Sequence, residues 1–316
     1  MSSKETIITI IGPTAVGKTS VTIAVAEKTD GEIIGLDSRQ IYKGMDIGTA
    51  QPSMEELEKI PHHLISIREP GESISAGEYA HLVHEQICDI RERGKQPIIC
   101  GGAGLYLEAL TKGIFAGSAA DLEIRERLNI EYEKDPNALM MKLTEIDPEY
   151  ASIVHINNKK RLVRALEIIE ITGKPPSEHF KDQTEIQTDN QSFCVILLSM
   201  NMESLENRIR ERTNTMLENG WIEETQSLLK KYTVDEAHAL DSIGYRQIIQ
   251  YLNDEYTLEE LEDEILLRTR QFAKRQMTWF RNRSNAIELN VEKFSSEIEI
   301  AKEIIAIWKK FSRRTE

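Results

Sequence analysis

The residues with the clearest chemistry lie near the start of the chain, in the segment Gly12-Pro-Thr-Ala-Val-Gly-Lys-Thr19. Its spacing matches the phosphate-binding loop GxxxxGK[ST], and it lies between a strand-like run and a helical pattern, as that loop requires. Glycines let successive backbone N–H groups converge on an anion. Lys18 supplies a mobile cation, and the Thr19 hydroxyl is placed to hold a Mg²⁺ ion between two phosphates. These residues predict a diphosphate or triphosphate ligand.

The loop alone leaves the reaction open, because its donors contact phosphate oxygens and ignore the group attached beyond them. A kinase, an NTPase and an enzyme with a diphosphate leaving group can all use it. An NTPase usually places an Asp at the end of another strand to organise Mg²⁺. The strand-like run before Gly101-Gly102 ends without an acid, and so does the run 193–199. This weakens the NTPase interpretation and leaves a kinase open.

Asp37 is the one acid that ends a predicted strand, 32–36. Residues just beyond the carboxyl ends of parallel strands line the crevice of such a sheet, so Asp37 is expected to face the phosphate loop. It then serves either as an outer partner of Mg²⁺ or as a base that accepts a proton from the attacking group. A helix cap is the structural alternative.

The elements that must position these residues alternate between short β-branched runs and helical patterns, which is typical of an α/β fold with a parallel sheet. Strands are predicted at 6–11, 32–36, 63–67, 97–100, 193–199 and 286–290, and helices at 18–29, 76–93, 121–133, 136–146, 158–171, 202–231 and 258–280. The strand signal vanishes between 117 and 191. We therefore expect a core domain of residues 1–116 and 192–316, and an all-helical insertion at 117–191.

Composition restricts the class of protein. The 316 residues are 40% hydrophobic and 29% charged, with a net charge of −14, values that exclude a disordered or fibrous chain. The sequence contains no run of about 18 apolar residues and no signal-peptide pattern, so we expect a soluble cytoplasmic protein without a membrane partner. Its three cysteines lack the spacing of a metal site.

Positive charge is local in this acidic chain. Lys159, Lys160, Arg161 and Arg164 stand together without an acid, and residues 268–283 contain six basic residues and no acid. Such clusters are typical of contacts with nucleic-acid phosphates. Trp279 lies inside the second cluster and is expected to belong to the core rather than to stack on a base.

Several motifs in order along nearly the whole chain resemble those of bacterial tRNA dimethylallyltransferases. They are Asp37-Ser-Arg-Gln-Ile-Tyr-Lys-Gly-Met-Asp-Ile-Gly-Thr-Ala50, Pro61-His-His-Leu64, Gly101-Gly-Ala-Gly-Leu-Tyr106, Lys160-Arg-Leu-Val-Arg-Ala-Leu-Glu167, Arg212 with Met216, Gly220 and Glu223, Ile243-Gly-Tyr-Arg-Gln247 and Ala273-Lys-Arg-Gln-Met-Thr-Trp-Phe-Arg281. The resemblance implies a nucleotide-kinase-like fold whose helical insertion grips the anticodon stem-loop of tRNA, with Mg²⁺ as cofactor. The implied reaction moves the dimethylallyl group of dimethylallyl diphosphate to N6 of the adenosine 3′-adjacent to the anticodon, in tRNAs that read codons beginning with U.

The resemblance also assigns roles to residues. Asp37 is the general base, Thr14 bonds the bridging oxygen that leaves, and Arg212 clamps the diphosphate. The diphosphate-binding residues are Gly12, Pro13, Thr14, Ala15, Val16, Gly17, Lys18 and Thr19, and Thr19 is the metal ligand. The expected tRNA-binding residues are Asp37, Ser38, Arg39, Gln40, Lys160, Arg161, Leu162, Val163, Arg164, Gly244, Tyr245, Arg246, Lys274, Arg275, Gln276 and Arg281.

Two positions depart from the family pattern: Ser66 stands where many members have Asp, and Ala103 where many have Thr, which removes one hydroxyl contact to tRNA. Three alternatives stay open. They are prenyl transfer to free AMP, a P-loop small-molecule kinase, and an RNA-binding module without catalysis. We expect a monomer, because one chain carries both the loop and the basic clusters.

Overall fold

The computed structural model describes residues 6–113, 121–179 and 192–315. The chain divides into two compact units, one formed by Met1–Thr111 with Asn190–Glu316 and the other by Lys112–Asp189. The predicted domain junctions at 116/117 and 191/192 fall at segments outside the described residues, so their positions stay predictions.

The first unit is built on a six-stranded sheet in which every pairing is parallel, in the order β3-β2-β4-β1-β5-β6. The strands are β1 (Thr6–Ile11), β2 (Gly31–Leu36), β3 (His62–His63), β4 (Gln96–Gly101), β5 (Ser192–Ser199) and β6 (Ile287–Asn290). The predicted α/β class is confirmed. The chain leaves β1 toward β2 and leaves β4 toward β5, so the direction of the crossovers is opposite at these two neighbouring strands. Ligands bind in such sheets at the carboxyl ends of the strands where this direction reverses, here β1 and β4.

Helices cover this sheet and make up the described part of the second unit. They are α1 (Lys18–Thr29), α2 (Met54–Lys59), α3 (Ala76–Glu92), α4 (Gly104–Lys112), α5 (Leu122–Lys134), α6 (Pro136–Ile146), α7 (Pro148–Ala151), α8 (Lys159–Thr172), α9 (Met202–Glu218), α10 (Trp221–Leu229), α11 (Tyr245–Leu252), α12 (Leu258–Arg283) and α13 (Glu297–Thr315). In the described residues, no helix is both long and apolar enough to cross a membrane.

Both faces of the sheet are covered, because successive side chains of a strand point to opposite sides. Ile7 and Ile11 of β1 pack into one core with α3 and α12, while Ile8 and Ile10 pack into a second core with α1 and α13. All six residues of β1 are therefore buried. This explains why the strand is apolar throughout, as interior parallel strands are.

Two predicted elements were wrong in extent, and backbone conformation explains both. The single helix predicted at 202–231 is broken into α9 and α10 at Gly220, whose φ of 97° lies in the left-handed region that favours glycine. The strand predicted at 63–67 ends at His63, because Leu64 (φ 62°) and Ser66 (φ 52°) turn the chain out of the extended conformation.

The second unit has its own apolar core, formed mainly by α5, α6 and α8. Its most buried acid is Glu167 of α8, which is completely shielded from solvent. Its carboxylate accepts the backbone N–H of Asp121 (3.0 Å) and the guanidinium of Arg125 (2.9 Å), and pairs with Arg164 (2.8 Å). A buried carboxylate needs such partners, and here they tie α8 to the start of α5.

Candidate active site

The phosphate loop follows β1 and curves back to begin α1. Ala15 (φ 64°) and Gly17 (φ 96°) hold the left-handed conformations that let neighbouring N–H groups face a common anion. A Cβ on Gly12 would lie 2.8 Å from the Leu198 carbonyl oxygen, so β5 packs directly against the loop. Lys18 Nζ donates to the carbonyl oxygens of Gly12 (3.1 Å) and Pro13 (2.8 Å), which holds the ammonium group over the loop.

The electrostatics of the loop suit an anionic ligand. Burial lowers the pKa of Lys18 to about 8, although the negative charge of Asp37 opposes the shift and the positive charge of Arg212 adds to it. A buried ammonium without an ion pair is unfavourable, and a phosphate group that binds beside it supplies the missing counter-charge. The geometry and charge of the loop therefore suit an anionic ligand, whose negative charge would stabilise the Lys18 ammonium group.

Asp37 lies immediately after β2 at the crevice, where the sequence places it. Its Oδ1 accepts the N–H groups of Arg39 (2.8 Å) and Gln40 (3.4 Å), which fixes the carboxylate in a local turn. Its charge is close enough to act on the pKa of both Lys18 and Arg212. The structure thus brings the predicted base and the two predicted diphosphate-binding cations into one site.

The glycine pair after β4 explains how Asp37 reaches the crevice. A Cβ on Gly101 would lie 2.0 Å from the Leu36 carbonyl oxygen, so no larger residue fits beside the end of β2. That same carbonyl accepts the N–H groups of Gly102 and Ala103, both at 3.1 Å. The ends of β2 and β4 are therefore held together, and Asp37 follows directly from this junction.

Arg212 lies on α9, on a helix whose sequence is highly charged. Its Nη1 donates to Thr14 Oγ1 at 3.1 Å, and burial lowers the pKa of the guanidinium while the charge of Asp37 raises it. The side chain points into the phosphate loop rather than to bulk solvent. Thr14 and Arg212, predicted to act on the leaving group, are in direct contact.

An aromatic pair packs beneath the Asp37 segment. Tyr79 and Tyr106 are stacked with ring centroids 4.2 Å apart, and Tyr79 donates its hydroxyl to the Gly35 carbonyl oxygen at 2.7 Å. Burial raises the pKa of Tyr106 to about 12, so its hydroxyl stays protonated at neutral pH. This pair gives the turn at Asp37 a rigid, apolar support.

The segment after Asp37 is held by Glu224 of α10, a residue that sequence reasoning missed. Its carboxylate accepts the N–H groups of Ile47 (2.7 Å) and Gly48 (3.0 Å) and the Tyr245 hydroxyl (2.6 Å). The resemblance pointed to the adjacent acid, Glu223. An acid in the first turn of a helix usually interacts with the helix dipole, so the position of Glu224 in the sequence gave no sign that it binds the segment after Asp37.

Five of the residues expected to contact tRNA are buried in the protein interior. Tyr245 is completely buried on Glu224, and a Cβ on Gly244 would lie 1.9 Å from the indole of Trp221. The remaining three are also in the interior: Leu162 and Val163 in the core of the second unit, and Gln276 behind the phosphate loop. All five pack within the protein, and their contact with tRNA stays a prediction.

The other candidates leave polar groups toward solvent. Lys160 and Arg161 are exposed on α8, as are Lys274 and Arg275 on α12, whereas Ser38, Arg39 and Gln40 are half-buried. Three arginines are also engaged with acids: Arg164 with Glu167, Arg246 with Asp241 and Arg281 with Glu288. Gln40 additionally donates to the carbonyl oxygens of Thr49 (3.2 Å) and Ala50 (2.7 Å), which closes the segment 40–50 on itself.

The described residues contain no group of three acids, histidines or cysteines that could enclose a metal ion. Mg²⁺ at a phosphate loop does not require one, because it takes most of its ligands from phosphates and water. The oxygen donors of Thr19 and Asp37 are of the hard type that this ion prefers, so the residues present fit it.

Comparison with known proteins places the chain in a family. Residues 40–283 match the family model described as IPP transferase. The chain belongs to the IPP transferase family. The matched range contains Arg212 and Gln276, whereas the phosphate loop and Asp37 lie before it.

Similarity to individual IPP transferases extends over the phosphate loop as well. The chain is 40% identical to the tRNA dimethylallyltransferase of Bacillus velezensis over 284 residues, 89% of this chain and 90% of that relative. It is 41% identical to that of Thermotoga neapolitana, with 90% and 92% covered. The solved tRNA isopentenylpyrophosphate transferase of Bacillus halodurans has a TM-score of 0.70, 36% identity and 98% of both chains covered. A eukaryotic dimethylallyltransferase described as acting on tRNA has a TM-score of 0.81 and 29% identity, with 98% of this chain and 80% of that one covered.

Proposed function

We propose that this IPP transferase is a tRNA dimethylallyltransferase. It transfers the dimethylallyl group of dimethylallyl diphosphate to N6 of the adenosine 3′-adjacent to the anticodon, in tRNAs that read codons beginning with U. The observation that carries the proposal is the convergence of Asp37, Lys18 and Arg212 on one phosphate loop. A base and a leaving-group clamp in one site are what prenyl transfer to an amine needs.

The reaction follows from the charges in that site. The bond between the allylic carbon and the bridging oxygen breaks, and its electron pair leaves with the diphosphate. Lys18, Arg212 and the Thr14 hydroxyl donate to the oxygens on which that charge develops, which lowers the barrier most when the donors are already in place. Bound Mg²⁺, held by Thr19, would further neutralise the diphosphate.

The nucleophile is a weak one, because the lone pair of an exocyclic amine is delocalised into the base. As N6 bonds to the allylic carbon, it must lose a proton, and the Asp37 carboxylate accepts it. Two backbone N–H bonds orient Asp37 for this role. The protonated carboxyl, the modified adenosine and free diphosphate complete the balance.

The target base must leave its stack in the anticodon loop to reach Asp37, as in other enzymes that modify bases. The exposed pairs Lys160 with Arg161 and Lys274 with Arg275 are suited to the phosphates of the stem-loop. Free AMP offers no such backbone, so these pairs favour an RNA acceptor. We propose that the enzyme acts in the cytoplasm as a monomer, since one chain carries all of these groups.

The test is a transfer assay with labelled dimethylallyl diphosphate and Mg²⁺. Three acceptors are compared: an anticodon stem-loop with adenosine 3′ to the anticodon, the same stem-loop with guanosine there, and AMP. Label in the adenosine stem-loop alone is the expected result. Label in AMP alone would assign the protein to nucleotide prenylation, and phosphate transfer from labelled ATP without any prenyl transfer would assign it to the kinases.

The variant Asp37→Asn tests the base. The amide oxygen still accepts the N–H groups of Arg39 and Gln40, so the turn is kept while the proton acceptor is lost. We expect stem-loop affinity within about twofold of the unmodified protein and a kcat lowered by about 10²- to 10⁴-fold. Unchanged turnover would remove Asp37 from the mechanism.

A further inference from the structure

Gln276 lies on α12 directly after the basic residues Lys274 and Arg275. Its side chain faces the protein interior, and the residue is only 8% exposed. Its Oε1 accepts the N–H of Thr14 at 2.9 Å, and its Nε2 donates to the Gly102 carbonyl oxygen at 3.0 Å. A Cβ on Gly102 would lie 2.5 Å from that nitrogen, so the amide is closely fitted. One side chain thus joins the phosphate loop after β1 to the end of β4.

Thr14 is consequently held from two directions. Gln276 binds its backbone N–H, and Arg212 donates to its hydroxyl at 3.1 Å. Because its N–H is committed to Gln276, Thr14 presents the ligand with a hydroxyl rather than an amide. The position of that hydroxyl then depends on a residue that lies behind the loop.

The helix that carries Gln276 is anchored at the same strand end by a second contact. A Cβ on Gly104 would lie 2.6 Å from the indole of Trp279, which is three residues further along α12. Gln276 and Trp279 lie one turn apart and share a helix face. The amide of Gln276 is therefore delivered from a rigid base, as a positioning group needs.

We propose that Gln276 is a positioning residue for prenyl transfer. It holds Thr14 so that the Thr14 hydroxyl and Arg212 meet the bridging oxygen as the diphosphate leaves. This inference rests on the proposed function. It replaces the expectation from the family resemblance that Gln276 binds tRNA.

A positioning role has a kinetic signature that a general structural role lacks. Lys18 and the remaining loop amides still bind the diphosphate when Thr14 shifts, so the KM for dimethylallyl diphosphate should change less than about threefold. A misplaced leaving-group donor acts in the transition state, where loss of one such donor costs about 10²- to 10³-fold. We expect Gln276→Met, which keeps length and loses both bonds, to lower kcat about 10- to 100-fold.

The deciding experiment is a double-mutant cycle of Gln276→Met and Thr14→Ala, with the adenosine stem-loop as acceptor. If Gln276 acts through Thr14, Gln276→Met should lower kcat less than about threefold when it is added to the Thr14→Ala variant, which already lacks the hydroxyl. Gln247→Met is the matched control, because Gln247 is also buried and binds a backbone N–H, that of Gly244 at 2.8 Å, away from Thr14. Its effect should multiply with that of Thr14→Ala.

Two outcomes would overturn the inference. Independent, multiplicative effects of Gln276→Met and Thr14→Ala would reduce Gln276 to a structural role, and a tenfold loss of stem-loop affinity at unchanged kcat would restore it as an RNA contact. Gln276→Leu, which also loses both hydrogen bonds, enters the same cycle if Gln276→Met does not fold. Failure of the proposed function is distinguished, because the unmodified protein then transfers no label to the stem-loop.

Discussion

Lys18 should make capture of the diphosphate substrate sensitive to pH just above neutrality. Its ammonium group is buried over the phosphate loop, and its pKa in the free protein is lowered to about 8. About 90% of the protein carries a charged Lys18 at pH 7 and about 10% at pH 9, so affinity should fall about tenfold over that interval. A lysine with the ordinary pKa of about 10.5 would remain almost fully charged at pH 9.

The assay is calorimetric titration with a non-transferable thio analogue of dimethylallyl diphosphate, whose phosphates are almost fully ionised at pH 8.5. At pH 8.5 binding should take up about 0.8 proton, because most of the free protein carries a neutral Lys18 that the bound anion recharges. Buffers with different ionisation enthalpies measure that uptake directly. Lys18→Arg is the matched control, since a guanidinium stays charged throughout and should abolish both the uptake and the fall in affinity.

The lowered pKa of Lys18 also determines how the free energy of unfolding depends on pH. Between pH 8 and 10.5 the folded free protein binds fewer protons at Lys18 than the unfolded chain does, so this residue makes folding more favourable as pH rises. An affinity that stays constant to pH 9, with no proton uptake, would refute the argument that burial without an ion pair dominates the state of Lys18.

Three further predictions concern the supports of the site and of the insertion. Glu224→Ala leaves two loop N–H groups and a tyrosine hydroxyl without their acceptor, and should lower the free energy of unfolding by about 3 kcal/mol in urea titrations; a loss below about 1 kcal/mol would contradict the role. Glu167→Ala removes the shared partner of two arginines and should cost about 2–4 kcal/mol, whereas Glu131→Ala, which breaks an exposed pair, should cost less than about 0.5 kcal/mol in the same measurement. Gly244→Ala should lower the free energy of unfolding by about 3 kcal/mol or more, because its Cβ would meet the indole ring of Trp221. Gly94→Ala, which has a similar positive φ and open space around the Cβ, should lower it by only about 1–2 kcal/mol. Equal losses in thermal melts would contradict the steric argument.

The elements nearest the phosphate loop could be predicted to the residue. β1 and α1 have the bounds expected from the sequence, because an interior parallel strand is apolar on both faces and the loop motif fixes where the helix begins. The break at Gly220 was missed although a glycine is a residue type that often ends a helix, whereas the early end of β3 could not be predicted. Positive φ at Leu64 and Ser66 has no signature in residue type.

The placement of the candidate reactive residues could also be predicted, because it follows from topology. Asp37 and Lys18 follow strands of one parallel sheet, so the sheet brings their ends to one edge whatever surrounds them. Glu224 could not be found in this way. Its partners are the N–H groups of Ile47 and Gly48, about 180 residues away in sequence, and an N–H group has no residue type to recognise.

A family motif specifies which residues a site requires but does not separate those that contact the substrate from those that hold the contacting ones. Lys274, Arg275 and Gln276 are consecutive, yet a helix turns about 100° per residue, so two reach solvent and the third reaches the back of the phosphate loop. The same division applies on α8, where Lys160 and Arg161 are exposed and Leu162 is completely buried. Burial therefore separates the solvent-facing members of each motif from those packed in the interior. Helix α12 carries both the basic residues suited to RNA and the Gln276 amide that holds Thr14. Because one rigid helix presents both, we expect the two substrates to meet at a single preformed site.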